Sequence, residues 1–328
     1  MNRWWLIILA LVLAPLAAHA QTPLNVMIFP CGGNLPQLVA QERGFYAREG
    51  LAVTARPAPS SVALVRGLMD GSVDLGLAAF DNVVGYQEGQ GEVALDTQPD
   101  LFAFMGFCTG MLRLVAAPEI AGIADLRGRT LGVDAVATGF SMVLMKMLAN
   151  GGLGAGDYRL EPAGGTPQRA QALLENRFVA TMLPTPFELL PESRGYRRLA
   201  DTTEALGPYQ STAGVARRSW AAANRATLVR FIRAGIAALD WLRDPANRGE
   251  AVAIYIRSQP NVARELAERA VDSMLGPREG FSARGRLDPA AMQTVLRLRS
   301  EFGRPQRTLS DASGYVDESF YAEATTPR

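Results

Sequence analysis

Six short polar stretches hold the residues of this chain with most to offer a ligand or a reaction. They are Asn34 within PCGGN, Ser60-Ser61, Phe80-Asp81-Asn82, Asp134 to Ser141 (DAVATGFS), Gly165-Thr166, and Phe187-Glu188. Each follows an apolar run that reads as a strand, and most lead into residues at helical spacing. Such a turn presents hydroxyl and carboxylate oxygens as helix caps and leaves the first backbone N–H groups of the helix free. Together with the helix dipole, these donors can hold a polar or anionic group at the carboxyl edge of a sheet, where ligands of open α/β sheets bind. Asp81, Asn82, Asp134 and Glu188 would give specific polar contacts. Ser60, Ser61, Thr138, Gly139, Ser141, Gly165 and Thr166 would give cap and backbone donors. Each also has a plainer reading: Asp81 and Asp134 as helix caps, Glu188 as a first-turn dipole partner. Phe29, Phe80, Phe140 and Phe187 can stack on a planar ligand or simply fill the core.

The chemistry left out is as informative. The only histidine, His19, lies in the N-terminal leader described below. Without it the chain has no Ser-His-Asp or Cys-His arrangement and no His-based metal site, and no metal or cofactor is expected. Lys146 is the sole lysine, which leaves little room for Schiff-base chemistry. Paired carboxylates remain as the one enzymatic route, and the reading here is a non-enzyme. Cys31 and Cys108 are the only cysteines. They are either a disulfide of an oxidising compartment or two small buried hydrophobes.

The elements that must position these residues follow from pattern. Residues 1–20 carry Arg3, an apolar run broken by Pro15, and Ala18-His19-Ala20, the layout of a secretory signal peptide cleaved after Ala20. Removing Arg3 leaves 32 basic residues against the 32 acidic ones. With no basic block, nucleic acid and anionic membrane are poor partners. The remaining length favours two domains. Strands are expected at Leu24–Phe29, Leu51–Ala55 and Val73–Phe80. Helices are expected at Leu35–Glu49 and Val62–Asp70, and from Asp81-Asn82 onward. A second β-α-β-α-β block uses strands Thr130–Val133, Tyr158–Pro162 and Val179–Leu183, after strands Leu101–Phe107 and Leu112–Ala116. From Trp220 the chain turns mostly helical, with a frayed tail after Tyr321. The fold class is α/β, two lobes, each a mostly parallel sheet covered by helices.

Three runs, VAQERGFYAREGLAV (Val39–Val53), ALVRGLMDGSVDLGLAAFDNVV and DLRGRTLGVDAVATGF, resemble the periplasmic substrate-binding proteins of ABC importers. The resemblance is to the group handling taurine, alkanesulfonates, nitrate and thiamine-pyrimidine precursors. It implies the type II periplasmic binding fold, with one lobe at about 22–107 plus 211–328, the other at about 108–210, and a cleft between them. It further implies a monomer in the periplasm that delivers a small solute to an inner-membrane ABC permease. The fold is shared with pyrimidine synthases that need a catalytic histidine, which this chain lacks once the leader is removed. An uncompensated carboxylate beside a buried anion is unfavourable. Asp81, Asp134 and Glu188 therefore point to a neutral or N–H-bearing solute, such as an amino-pyrimidine, with sulfonate, taurine or nitrate as the alternative. A sensor domain or an exported enzyme on the same scaffold are the other classes.

Overall fold

A computed structural model describes residues 20–259, 262–276 and 279–327. The expected leader, Ala20 apart, lies outside the described residues. Eleven strands build two sheets. They are β1 (Thr22–Ile28), β2 (Leu51–Pro57), β3 (Leu75–Ala78), β4 (Leu101–Thr109), β5 (Leu112–Ala116), β6 (Thr130–Val133), β7 (Arg159–Pro162), β8 (Ala180–Pro184), β9 (Arg197–Asp201), β10 (Gln210–Arg217) and β11 (Gly280–Phe281). One sheet runs β11-β4-β10-β3-β1-β2 and the other β7-β6-β8-β5-β9.

In the first sheet β1 pairs in parallel with β2 and β3, while β10 lies antiparallel between β3 and β4. In the second, β6 pairs in parallel with β7 and β8, and β5 lies antiparallel between β8 and β9. The mostly parallel, two-lobed α/β class read from the sequence is what the chain adopts. Parallel strands need long crossovers, usually helices, so both faces are covered. That is why β3 (LGLA) and β8 (ATMLP) are buried along their whole length.

The chain crosses between the sheets at Gly110-Met111 and again over Thr202–Tyr209. Gly110 and Met111 both take left-handed backbone conformations, φ 63° and 55°. For a methionine this is costly and needs external support. Glu279 supplies it by accepting the Met111 N–H at 2.9 Å. The same carboxylate accepts Thr203 Oγ1 at 3.0 Å and pairs with the buried Arg113, which also reaches Asp201 at 2.9 Å. Both crossings are thus tied to one acidic side chain.

Three local expectations change. The helix expected over Leu35–Glu49 breaks at Gly44 (φ 68°) into Leu35–Glu42 and Phe45–Arg48, because a left-handed residue cannot continue it. Strands β9, β10 and β11 were not anticipated. The tail is not frayed: a helix over Ser319–Thr325 docks, with Phe320 stacked near Phe102 (5.6 Å) and under Arg225 (4.4 Å). No helix among the described residues is long and apolar enough to cross a membrane. Replacing Phe320 with Ala is expected to cost about 3–5 kcal/mol of stability, the usual loss for a buried aromatic. Denaturant unfolding measures it, and a loss below ~1 kcal/mol would restore the frayed-tail reading.

Candidate functional site

The carboxyl ends of strands from both sheets meet around one cavity of about 80 Å³. At about 10–15 Å³ per water-sized group, it has room for a handful of non-hydrogen atoms. Phe29, Pro30 and Cys31 follow β1, Ser60 and Ser61 follow β2, and Asp81 and Asn82 follow β3. From the other lobe come Asp134, Thr138, Gly139 and Phe140 after β6, Gly165 and Thr166 after β7, and Pro184 at the end of β8. Ten of the fifteen residues singled out in the sequence therefore share one wall: Ser60, Ser61, Asp81, Asn82, Asp134, Thr138, Gly139, Phe140, Gly165 and Thr166.

Five lie elsewhere. Asn34 is buried and donates to the Phe29 carbonyl, so it braces the loop behind the wall. Phe80 is core, edge-on to Tyr315. Ser141 is fully buried and donates to the Ala135 carbonyl at 2.5 Å. Phe187 lines a separate groove with Tyr255 and Leu266. Glu188 is fully buried away from the cavity, accepting Thr185 Oγ1 at 2.8 Å through Oε1 while Oε2 has no hydrogen-bond partner.

Four helices begin at the wall: Ser61–Asp70, Phe80–Gln87, Gly139–Asn150 and Thr166–Leu174. Only the first has a side-chain cap, Ser60 accepting the Ala63 N–H at 3.2 Å. The others start at Ala79, Thr138 and Gly165 with no side chain on their first N–H groups. Asp81-Asn82 are consequently not caps, as the sequence rule had it. Phe80 already belongs to the helix, and Asp81 sits inside its first turn. Thr138 faces the other way, donating to Asp134 at 2.7 Å, and stands 3.1 Å from Ser141 Oγ.

Charge at the site is set by two arginines that the sequence reading passed over. Arg299, from the helix Pro289–Phe302, grips Asp81 with Nε on Oδ1 and Nη2 on Oδ2, both at 2.5 Å, and spends Nη1 on the Gln90 carbonyl at 2.9 Å. Both side chains are almost wholly buried, 2% and 3% exposed. Arg169, also buried, lines the cavity and donates to the carbonyls of Gly164 (2.8 Å) and Met182 (3.3 Å). Among the described residues it makes no ion pair with a carboxylate, and Asp134 acts on it only from further off. Glu92, Ser211 and Thr212 complete the wall and were likewise missed. No signal local to those stretches marks them, since each reaches the cavity by tertiary placement.

The lobes touch across the cavity. Gly32 N–H donates to the Thr185 carbonyl at 2.7 Å, Ala137 N–H to Glu92 at 2.9 Å, and Lys146 pairs with Glu301 at 2.9 Å. A Cβ at Gly139 would stand 2.5 Å from Tyr209 Oη and press on the Asp81 carboxylate, so only glycine lets the lobes meet there.

The family model described as NMT1/THI5 like matches residues 34–247. The chain belongs to the NMT1/THI5-like family. No curated protein matches its sequence. Solved structures share the fold along nearly the whole chain. The ligand-binding component of an ABC-type import system from Staphylococcus aureus, solved with zinc bound, has a TM-score of 0.76 at 12% identity, covering 93% of this chain and 99% of that one. The periplasmic nitrate-binding protein of Synechocystis gives 0.74 at 15% identity, over 93% and 88%. The alkanesulfonate-binding protein of Xanthomonas axonopodis, bound to MOPS, gives 0.69 at 17%, over 94% and 95%. Among the described residues of this family member, no group of three or more His, Cys, Asp or Glu side chains could hold a metal ion.

Cys31 and Cys108 are free thiols, not a disulfide. Both turn toward the Thr212 hydroxyl, which stands 4.0 Å from Cys31 Sγ and also bonds Cys108.

Two measurements test this site. Arg299→Met strands a buried carboxylate and is expected to cost about 3–5 kcal/mol, while the double variant Asp81→Leu with Arg299→Met recovers much of it. Equal losses in the single and double variants would show that packing, not charge, dominates. Burial is the main cause that pushes the Glu188 carboxyl above its usual range. The folded state then binds the proton more tightly, so stability is lost as pH rises from the ordinary carboxylate range up through the raised folded value. Glu188→Gln should therefore raise the melting temperature at pH 8, with the gain vanishing toward pH 4. A gain that grows on acidification would reverse the assignment.

Proposed function

We propose that this chain is the periplasmic solute-capturing component of an ABC importer, closing two lobes on a small organic anion with a short apolar part. The observation that carries the anion is Arg169, a buried guanidinium at the cavity wall without a carboxylate of its own. A buried cation left unpaired is costly, and a bound oxyanion would relieve that cost. Three helix starts without side-chain caps add donors of the same sign. The acids that had favoured an N–H-bearing solute are largely spent: Asp81 on Arg299, with Glu188 away from the cavity. Phe29, Val62, Leu77 and Phe140 would face the apolar part.

Capture without turnover fits a wall that has no histidine, and the importer component and the nitrate- and alkanesulfonate-binding proteins compared above bind their ligands. In the proposed cycle, solute occupies the open cleft, the contacts of Gly32, Ala137 and Lys146 form across it, and the closed form meets the permease. Asp134, which lines the wall, supports a second reading: a solute that also carries an N–H donor.

Thermal unfolding against a panel separates the two: short alkanesulfonates, taurine, nitrate, small carboxylates and amino-pyrimidines. A ligand at about a hundred times its Kd adds roughly 2.7 kcal/mol, a clear shift in melting temperature. Oxyanions are expected to shift the protein, with the shift lost in Arg169→Gln while unliganded stability stays measurable. A shift by amino-pyrimidines alone, retained in Arg169→Gln and lost in Asp134→Asn, would overturn the anion reading.

A further inference from the structure

Cys31 and Cys108 come from separate strand ends, 77 positions apart in the sequence, yet they converge at Gly33. A Cβ on Gly33 would lie 2.8 Å from Cys108 Sγ, 3.3 Å from Cys31 Sγ and 2.8 Å from Thr212 Oγ1. The two sulfurs therefore stand no more than about 6 Å apart, the two Cβ distances laid end to end. Two sulfur–metal bonds of about 2.3 Å, the zinc–thiolate length, span up to about 4.6 Å, a separation which that bound permits. The Thr212 hydroxyl stands 4.0 Å from Cys31 Sγ and also bonds Cys108, and the loop closes on itself through the Asn34 N–H, which donates to the Cys31 carbonyl at 3.2 Å. Burial raises both thiols above their ordinary range and these contacts only partly offset it, so it is the bound cation that would draw the protons off. A third soft atom, Met274 Sδ, packs directly on the backbone of neighbouring Gly32. Cys108 is buried, whereas Cys31 lines the solute cavity, which gives an ion a way in.

We propose that Cys31 and Cys108 form a two-thiol site for a soft monovalent cation, Cu(I) or Ag(I), on the wall of the solute cavity. Thiolate and thioether ligands select such ions over harder divalent ones. On loading, each S–H bond breaks, two S–metal bonds form, and two protons leave, with no change of oxidation state. The site stands independently of the solute reading, since its donors all sit on the β1 and β4 side of the cavity and Arg169 takes no part.

The test is titration of the reduced full-length mature protein with Ag(I), and with Cu(I) under a chromophoric competitor, following sulfur-to-metal absorbance in the ultraviolet. One equivalent is expected to bind. Cys31→Ser and Cys108→Ser should each weaken binding by more than about a hundredfold, and Thr212→Val by about tenfold, within the range for an outer-shell hydrogen bond. Met274→Leu should weaken it while leaving the stoichiometry at one. Thermal melts of the serine variants show that the fold persists. Two equivalents bound independently, full affinity in either single serine variant, or absence of titratable thiols in freshly isolated protein would each overturn the proposal.

Discussion

The Asp81–Arg299 pair under the cavity is the interaction on which the site's arrangement depends. Its partners are 218 residues apart in sequence, and taking either charge out of water alone would cost several kcal/mol. The structure spends both Asp81 oxygens and three guanidinium nitrogens on defined partners, so the pair tolerates nearly complete burial. In doing so it fixes the first turn of the helix Phe80–Gln87 against the helix Pro289–Phe302. It also holds the Asp81 side chain where Gly139, from the opposite lobe, packs against it.

With Asp81 neutralised, the remaining field of the cavity comes from Arg169 and the helix starts. Both are positive, and both sit in a small space walled by phenylalanine, valine and leucine, where low polarity strengthens each interaction. Glu92 and Asp134 line the same cavity and oppose that field. Glu92 is held by the Ala137 N–H and Asp134 by the Thr138 hydroxyl. Each acid is therefore part of the loop scaffold as well as of the wall.

Much of this was legible in the sequence wherever the information was local. Apolar alternation and glycine stops placed β1 to β8, and polar turns after several of them named ten residues of the wall. Local rules failed where tertiary contacts decide. Asp81 looked like a cap because cap propensity carries no knowledge of Arg299. β10 was missed because QSTAGVAR is short of large apolar residues, and is a strand only because β3 and β4 sandwich it. Glu188 looked like a ligand contact because a polar residue after a strand end does not say which way the loop folds. The docked C-terminal helix depends on Phe102, Arg225 and Arg233, all contributed from far upstream.

Glu279 sits where the two crossing segments run side by side, and this has a mechanical consequence. When two bodies swing about a shared axis, a point near the axis barely moves, while a point at the far rim sweeps a long arc. The bonds of Glu279 to Met111, Thr203 and Arg113 lie at the hub, and the Ala137–Glu92 and Lys146–Glu301 contacts lie on the moving faces. In the proposed cycle, opening the cleft would break the rim contacts and leave the hub intact. On the proposed cycle the molecule has a bearing held by one carboxylate and a catch made of a few polar contacts, which a modest gain from solute would tip shut.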